Sequence, residues 1–187
     1  MKAATSIEAG SMQMRQLLRV GLAALALQSA VSSEALAAPV RWSGNGHLYE
    51  VRFAPEGLSW AQAMLRAQAL GCGRYLATLT SPAENAFVAR LAAARPGAFT
   101  PGGPWLGAFQ KTPTESASNW RWVTNEPFAP TNWGPGEPSN NDGAEDFLGM
   151  FAGGAWNDAT LFGTGNLPRA FIVEFDTARQ RACRRLG

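Results

Sequence analysis

The chain is poor in the residues that carry most enzymatic and metal chemistry. Of its 187 residues, one is histidine and two are cysteine. Neither type occurs in the acidic stretch at 133–158, so zinc or another soft metal is not expected there. His47 has no partner for catalysis and is given no role. Charged residues make up 16 % of the chain, 16 basic against 14 acidic. Such a balance offers no phosphate-binding face, and nucleic acid is not an expected partner. The apolar stretch at 17–27 is about a dozen residues long, short of the roughly 20 that a membrane helix needs. No second apolar run of membrane length follows it, so no membrane span is expected in the mature chain. One absence is local: no Lys or Arg stands between Arg121 and Arg169.

Residues 1–37 read as an export leader. Met14 and Arg15 open a short basic region that includes Arg19, the apolar stretch follows, and Ala35-Leu36-Ala37 fits a small-x-small cleavage site. Residues 1–13 precede this better start at Met14. A retained anchor helix is the alternative. The expected division is a leader at 1–37, one folded domain at 40–176 and a basic tail at 177–187. The expected location is secreted or periplasmic. Three basic and two acidic residues lie in 1–37, which leaves 13 and 12 beyond it. Arg179, Arg181, Arg184 and Arg185 fall in the tail, so the folded body is slightly acidic.

Periodicity gives an α+β domain. Residues 47–53 alternate as a strand with Tyr49, Val51 and Phe53 on one face. Ser59 and Gln62 form a capping box that opens a helix, with Ala61, Met64, Leu65 and Ala69 as its apolar stripe and Gly71 as its stop. Residues 75–79 read as a short strand. Ser81 and Glu84 form a second capping box with Pro82 at the first helical position, and Phe87, Val88 and Leu91 make a buried stripe. Short strands follow at 105–108, 120–124, 147–151 and 170–175. The chain from 125 to 142 is mostly Pro, Gly, Asn and acid. A loop of that length inside a compact domain is usually functional or disordered.

The acidic segment at 133–158, W-G-P-G-E-P-S-N-N-D-G-A-E-D-F-L-G-M-F-A-G-G-A-W-N-D, organises the rest. It holds Glu137, Asp142, Glu145, Asp146 and Asp158 with no cation among them. Crowded carboxylates repel, and a hard divalent cation compensates them with the oxygen ligands present here. A strand at 147–151 would bring Asn157 and Asp158 back beside the Glu137 loop. Glu137, Ser139, Glu145, Asn157 and Asp158 could then supply five or six of the roughly six to eight oxygens that calcium takes, counting the Asp158 carbonyl. One or two positions would remain for water or ligand hydroxyls.

E-P-S at 137–139, E-D at 145–146 and W-N-D at 156–158 resemble the calcium-site signature of C-type lectin domains. The resemblance extends over H-L-Y-E-V at 47–51, L-S-W-A-Q-A at 58–63, L-A-T-L-T-S-P-A-E-N-A-F at 76–87, W-L-G-A at 105–108 and A-F-I-V-E-F at 170–175. The chain thus reads as a bacterial C-type lectin-like protein. The resemblance implies the double-loop fold, with two helices on short antiparallel sheets and a protruding calcium-binding loop. It implies that Glu137 and Ser139 bind both the ion and two neighbouring sugar hydroxyls across a cis Glu137-Pro138 bond. Glu145 and Asn157 share that role. Trp156 either packs beneath the site or offers a sugar-stacking platform. Glu before the proline implies mannose-type sugars, and Ser139, where the family often has Asn, blurs that choice. Gln110 stands where a second ion would need an acid, so Asp146 would lack partners and one Ca2+ is expected. Asp146 otherwise reads as a solvated or hydrogen-bonded carboxylate.

In an exported chain, two cysteines suggest one disulfide. The family's usual half-cystine positions correspond to Ala69 and Val173, so a Cys72–Cys183 bond would be a displaced equivalent, and two free thiols are the alternative. The expected function is a lectin whose partner is a carbohydrate or glycoconjugate. The rival is an adhesin or receptor module for a protein surface, in which calcium only orders the loop. An enzyme is not expected, because carboxylates engaged with calcium are poor acids and bases.

Overall fold

The computed structural model describes residues 38–99, 102–110 and 119–185, with Asp142 and Arg184 described by backbone alone. The leader at 1–37 and the segment 111–118, which follows Gln110, lie outside the described residues.

Among the described residues, eight strands make one sheet. They are β1 (Val40–Arg41), β2 (Leu48–Phe53), β3 (Arg74–Leu76), β4 (Trp105–Gln110), β5 (Trp120–Trp122), β6 (Phe147–Met150), β7 (Trp156–Ala159) and β8 (Ala170–Phe175). Along the main path the order is β1-β2-β8-β4-β6-β7, with β3 paired to β8 and β5 to β4. All pairings are antiparallel except β4 with β8, which run parallel at Trp105 and Phe171. The expected separate short sheets are therefore joined through β8, which is buried along its whole length. Gly107 is where β3 and β4 close up: a Cβ there would strike the Leu76 carbonyl.

Three helices are described: α1 (Trp60–Ala69), α2 (Pro82–Ala93) and α3 (Thr177–Arg184). The Ser59–Gln62 capping box forms as expected. The buried face of α1 differs from the expected one. Trp60, Ala63 and Ala67 are buried, whereas Leu65 is 61 % exposed. Apolar residues nearly encircle this helix, so spacing alone does not choose a face. The Trp60 indole chooses it by donating to the Leu106 carbonyl at 2.7 Å, and the small alanines let the helix approach the sheet.

The second cap is half of the expected box. Ser81 accepts from the Glu84 backbone N–H. The Glu84 side chain turns instead to Thr80, Asn45 and Tyr49. It is 1 % exposed, and burial pushes its carboxyl above the usual range. The segment read as a tail contains α3, capped by Asp176, whose carboxylate accepts from Ala178 and Arg179. Cys72 and Cys183 form a disulfide that ties α3 to the loop after α1, their Cα atoms 6.3 Å apart. No helix among the described residues is long and apolar enough to cross a membrane.

His47 is more engaged than the sequence indicates. Its Nδ1 lies 2.6 Å from Glu174 Oε1, and Glu174 is 2 % exposed. That hydrogen bond raises the imidazole pKa against the opposing effect of burial.

Candidate functional site

The site begins with α2. Asn85, on its first turns, accepts the Trp156 indole N–H at 2.7 Å and donates to the Gly154 carbonyl at 3.0 Å. One helix side chain thus fixes both the β6–β7 turn and the first residue of W-N-D. β7 pairs on one side with β6, Asn157 opposite Gly149 and Asp158 opposite Leu148. Its outer edge is covered by the loop: Trp156 N–H donates to the Asn132 carbonyl, and Gly134 N–H donates to the Trp156 carbonyl. An edge strand left open would present unpaired backbone groups; here the loop takes them, and that lacing positions residues 134–140 over β7.

The expected return of Asn157-Asp158 to the Glu137 loop is met. Glu137-Pro138 is cis. The Ser139 backbone N–H is shared between Glu137 Oε2 and Asp158 Oδ1, both at 2.9 Å. Asp158 Oδ2 accepts from Asn140 N–H at 2.7 Å. The Ser139 hydroxyl donates to Glu145 Oε2 at 3.0 Å, and Asn141 N–H donates to the same oxygen at 2.8 Å. Three carboxylates therefore gather around one serine. Glu145 and Asp158 are 2 % and 1 % exposed, while Glu137 is half-buried. Burial, and then the neighbouring Asp158 carboxylate, push the Glu137 carboxyl above its usual range.

Asn157, 6 % exposed, sits on β7 beside Asp158. In this arrangement the Ser139, Asn140 and Asn141 hydrogens stand between the carboxylates. No group of three or more His, Cys, Asp and Glu side chains among the described residues closes on a single point. The donor chemistry nevertheless fits a hard cation, since every side-chain ligand present is an oxygen and no Lys or Arg lies within 122–168.

Trp156 is 1 % exposed and enclosed by Trp122, Phe128 and Trp133. It has no free face for a sugar ring, which removes the platform reading and leaves the packing one. Asp146 is not a freely solvated carboxylate. Its Oδ1 is buried without a hydrogen bond among the described residues, and burial pushes its carboxyl up. Asn140 lies outside the expected ligand set, yet its Oδ1 accepts the Glu145 N–H at 3.2 Å and its φ is +45°. Asn tolerates that left-handed backbone better than most residues, and the N-N-D-G string was the available signal.

Known proteins share this architecture. No family model matches the chain. It superposes on the C-type lectin CEL-I from Cucumaria echinata with a TM-score of 0.59 at 24 % identity, covering 75 % of this chain and 98 % of that one. The fold is that of a C-type lectin-like domain. The carbohydrate-recognition domain of cow CD23, solved in the presence of a GlcNAc2Man3 oligosaccharide, gives 0.55 at 23 % identity over 70 % of this chain and 89 % of that one. Human lithostathine gives 0.57 at 18 %, covering 79 % and 99 %. Among curated proteins, human C-type lectin domain family 17, member A is 33 % identical over 112 residues, 60 % of this chain and 26 % of that protein. Pulmonary surfactant-associated protein D of Sus scrofa is 40 % identical over 67 residues, 34 % and 17 % of the two chains. The C-type lectin-like chain thus spans about a quarter or less of these curated relatives.

Proposed function

We propose that this C-type lectin-like domain is an exported, calcium-dependent carbohydrate-binding module that acts without catalysis. One observation carries the reading: Glu137, Glu145 and Asp158 converge on Ser139 in a segment free of cations. Carboxylates brought together and withdrawn from water repel one another, and a divalent ion offsets that repulsion. Glu137, Ser139, Glu145, Asn157 and Asp158 would hold one Ca2+. The ion supplies open coordination positions that suit a pair of neighbouring sugar hydroxyls. The chain's own groups do the rest. Glu137 and Glu145 accept hydrogen bonds from those hydroxyls. The Asn157 amide donates to them. Trp156, held by Asn85, keeps Asn157 and Asp158 in place. Glu137 before Pro138 favours mannose-type sugars.

A protein-binding module is the second reading. It is favoured by the hydroxyl of Ser139, which already donates to Glu145, and by Asp158, both of whose oxygens accept loop N–H groups without an ion. A glycan array on the mature chain, in millimolar calcium and again with chelator, separates the two. Chelator-sensitive binding to one coherent sugar class is expected. Silence under both conditions from folded protein would sink the lectin reading and favour the rival.

A further inference from the structure

Away from the loop, at the junction of α1 and α3, a cleft of about 400 Å3 opens. Its rim is exposed: Gln68, Arg179 and Ala182. Its floor is largely apolar, made by Met64, Tyr75 and Val123 beside the Cys72–Cys183 disulfide. No acidic side chain is among the lining residues.

Arg74 is the unusual group. It lines both this cleft and an adjoining recess of about 330 Å3 bounded by Leu70, Gly71 and Gln180. Its guanidinium lies over the Phe175 ring, with Cζ 4.8 Å from the ring centre, and its Nη1 donates to the Leu70 carbonyl. Its Nε is buried and has no hydrogen-bond partner. No ion pair joins Arg74 to an acidic group among the described residues. Arg179 stands across the cleft, its Cζ 5.6 Å from the Tyr75 ring, and shares its charge with Asp176 through a 3.2 Å contact. A half-buried arginine without a counter-ion is costly unless something supplies one. A second arginine and an apolar floor say what that something resembles.

The geometry points to a binding site for a small amphiphilic oxyanion, a carboxylate or phosphoryl head on a short hydrocarbon body. The head pairs with Arg74 and Arg179. Guanidinium groups suit such heads because their planar N–H forks match two oxygens at once. The body lies on Met64 and Val123. The cleft shares no residue with the loop site, so its fate is independent of the calcium reading.

The test is isothermal titration of the full chain with sodium octanoate, below its micellar concentration. Acetate and octan-1-ol serve as controls that lack the body or the charge. Saturable octanoate binding is expected, with both controls at least about tenfold weaker. Arg74→Met weakens octanoate about tenfold or more, the loss of a charge-assisted pair. Ala182→Trp fills the mouth from an exposed helix position and abolishes binding while keeping both arginines. It carries the test if Arg74→Met does not fold, with circular dichroism as the check. Octyl phosphate distinguishes a phosphoryl source from a carboxylate one, and binding of either head that is lost in both variants supports the site. Octanol binding as tightly as octanoate, or unchanged octanoate binding in folded Arg74→Met and Ala182→Trp, overturns it.

Discussion

Asp158 Oδ1 lies 2.9 Å from the Ser139 backbone nitrogen, across 19 residues of sequence. With Oδ2 on the Asn140 N–H, one buried carboxylate of β7 holds the turn that follows Pro138. Asp158→Ala removes both acceptors: the Asn140 N–H is left without one, while the Ser139 N–H keeps Glu137 Oε2. The expected loss is about 1–3 kcal/mol, the cost of one unmade bond. Urea unfolding of the variant measures it. A loss below about 0.5 kcal/mol would mean that the turn does not depend on this carboxylate.

Calcium should raise the melting temperature. Extracellular modules bind the ion at about 10⁻⁴–10⁻³ M. At ten times that constant the stabilisation is about 1.4 kcal/mol, or roughly 3–6 °C for a domain of this size. Glu145→Ala and Asn157→Ala should abolish the shift. An equal melting temperature in calcium and chelator removes the ion from the proposal.

His47 makes stability depend on pH. Its folded pKa is raised above the unfolded value of about 6.5, chiefly by the hydrogen bond to Glu174, with Asp176 and Glu84 adding in the same direction. The contribution is therefore fully present below about pH 6.5 and is lost as pH rises through the folded pKa. The ion pair is partly shielded, with His47 23 % exposed, and a contribution of about 1 kcal/mol is expected. Chemical denaturation at pH 6 and at pH 9 should show that decline in the parent chain. In His47→Gln the curve should be flatter over the same window. An identical slope in the two proteins would contradict the assignment.

The disulfide spans 111 residues. In the chain-entropy model such a closure is worth about 4–5 kcal/mol. Cys72→Ala with Cys183→Ala should cost less than that, because α3 can detach locally while the sheet stays folded. Hydrogen exchange checks the distinction: in the double variant, protection should fall first across α3, with β2 and β8 retaining theirs.

The sequence by itself determined the local pieces. Ser59 and Gln62 form their cap because both partners lie within one helical turn. The Tyr49, Val51 and Phe53 face of β2 packs into the core as its spacing predicts, and the long apolar stretch at β8 is buried throughout. The ligand-rich loop was legible because it concentrates acid, Asn and Gly where no cation dilutes them. Tertiary structure decided whatever depends on residues far apart in the chain. The face of α1 was chosen by an indole reaching Leu106. Glu84 left its expected capping role because Tyr49 and Asn45 lie beside it. His47 acquired Glu174 only through the pairing of β2 with β8, and Trp156 was enclosed only when the 128–134 segment folded over β7. Arg74 came to lie over the Phe175 ring, with no acid as its ion-pair partner among the described residues, only through the pairing of β3 with β8. A sequence records which groups are present; burial and long-range pairing set the electrostatic environment in which each one works.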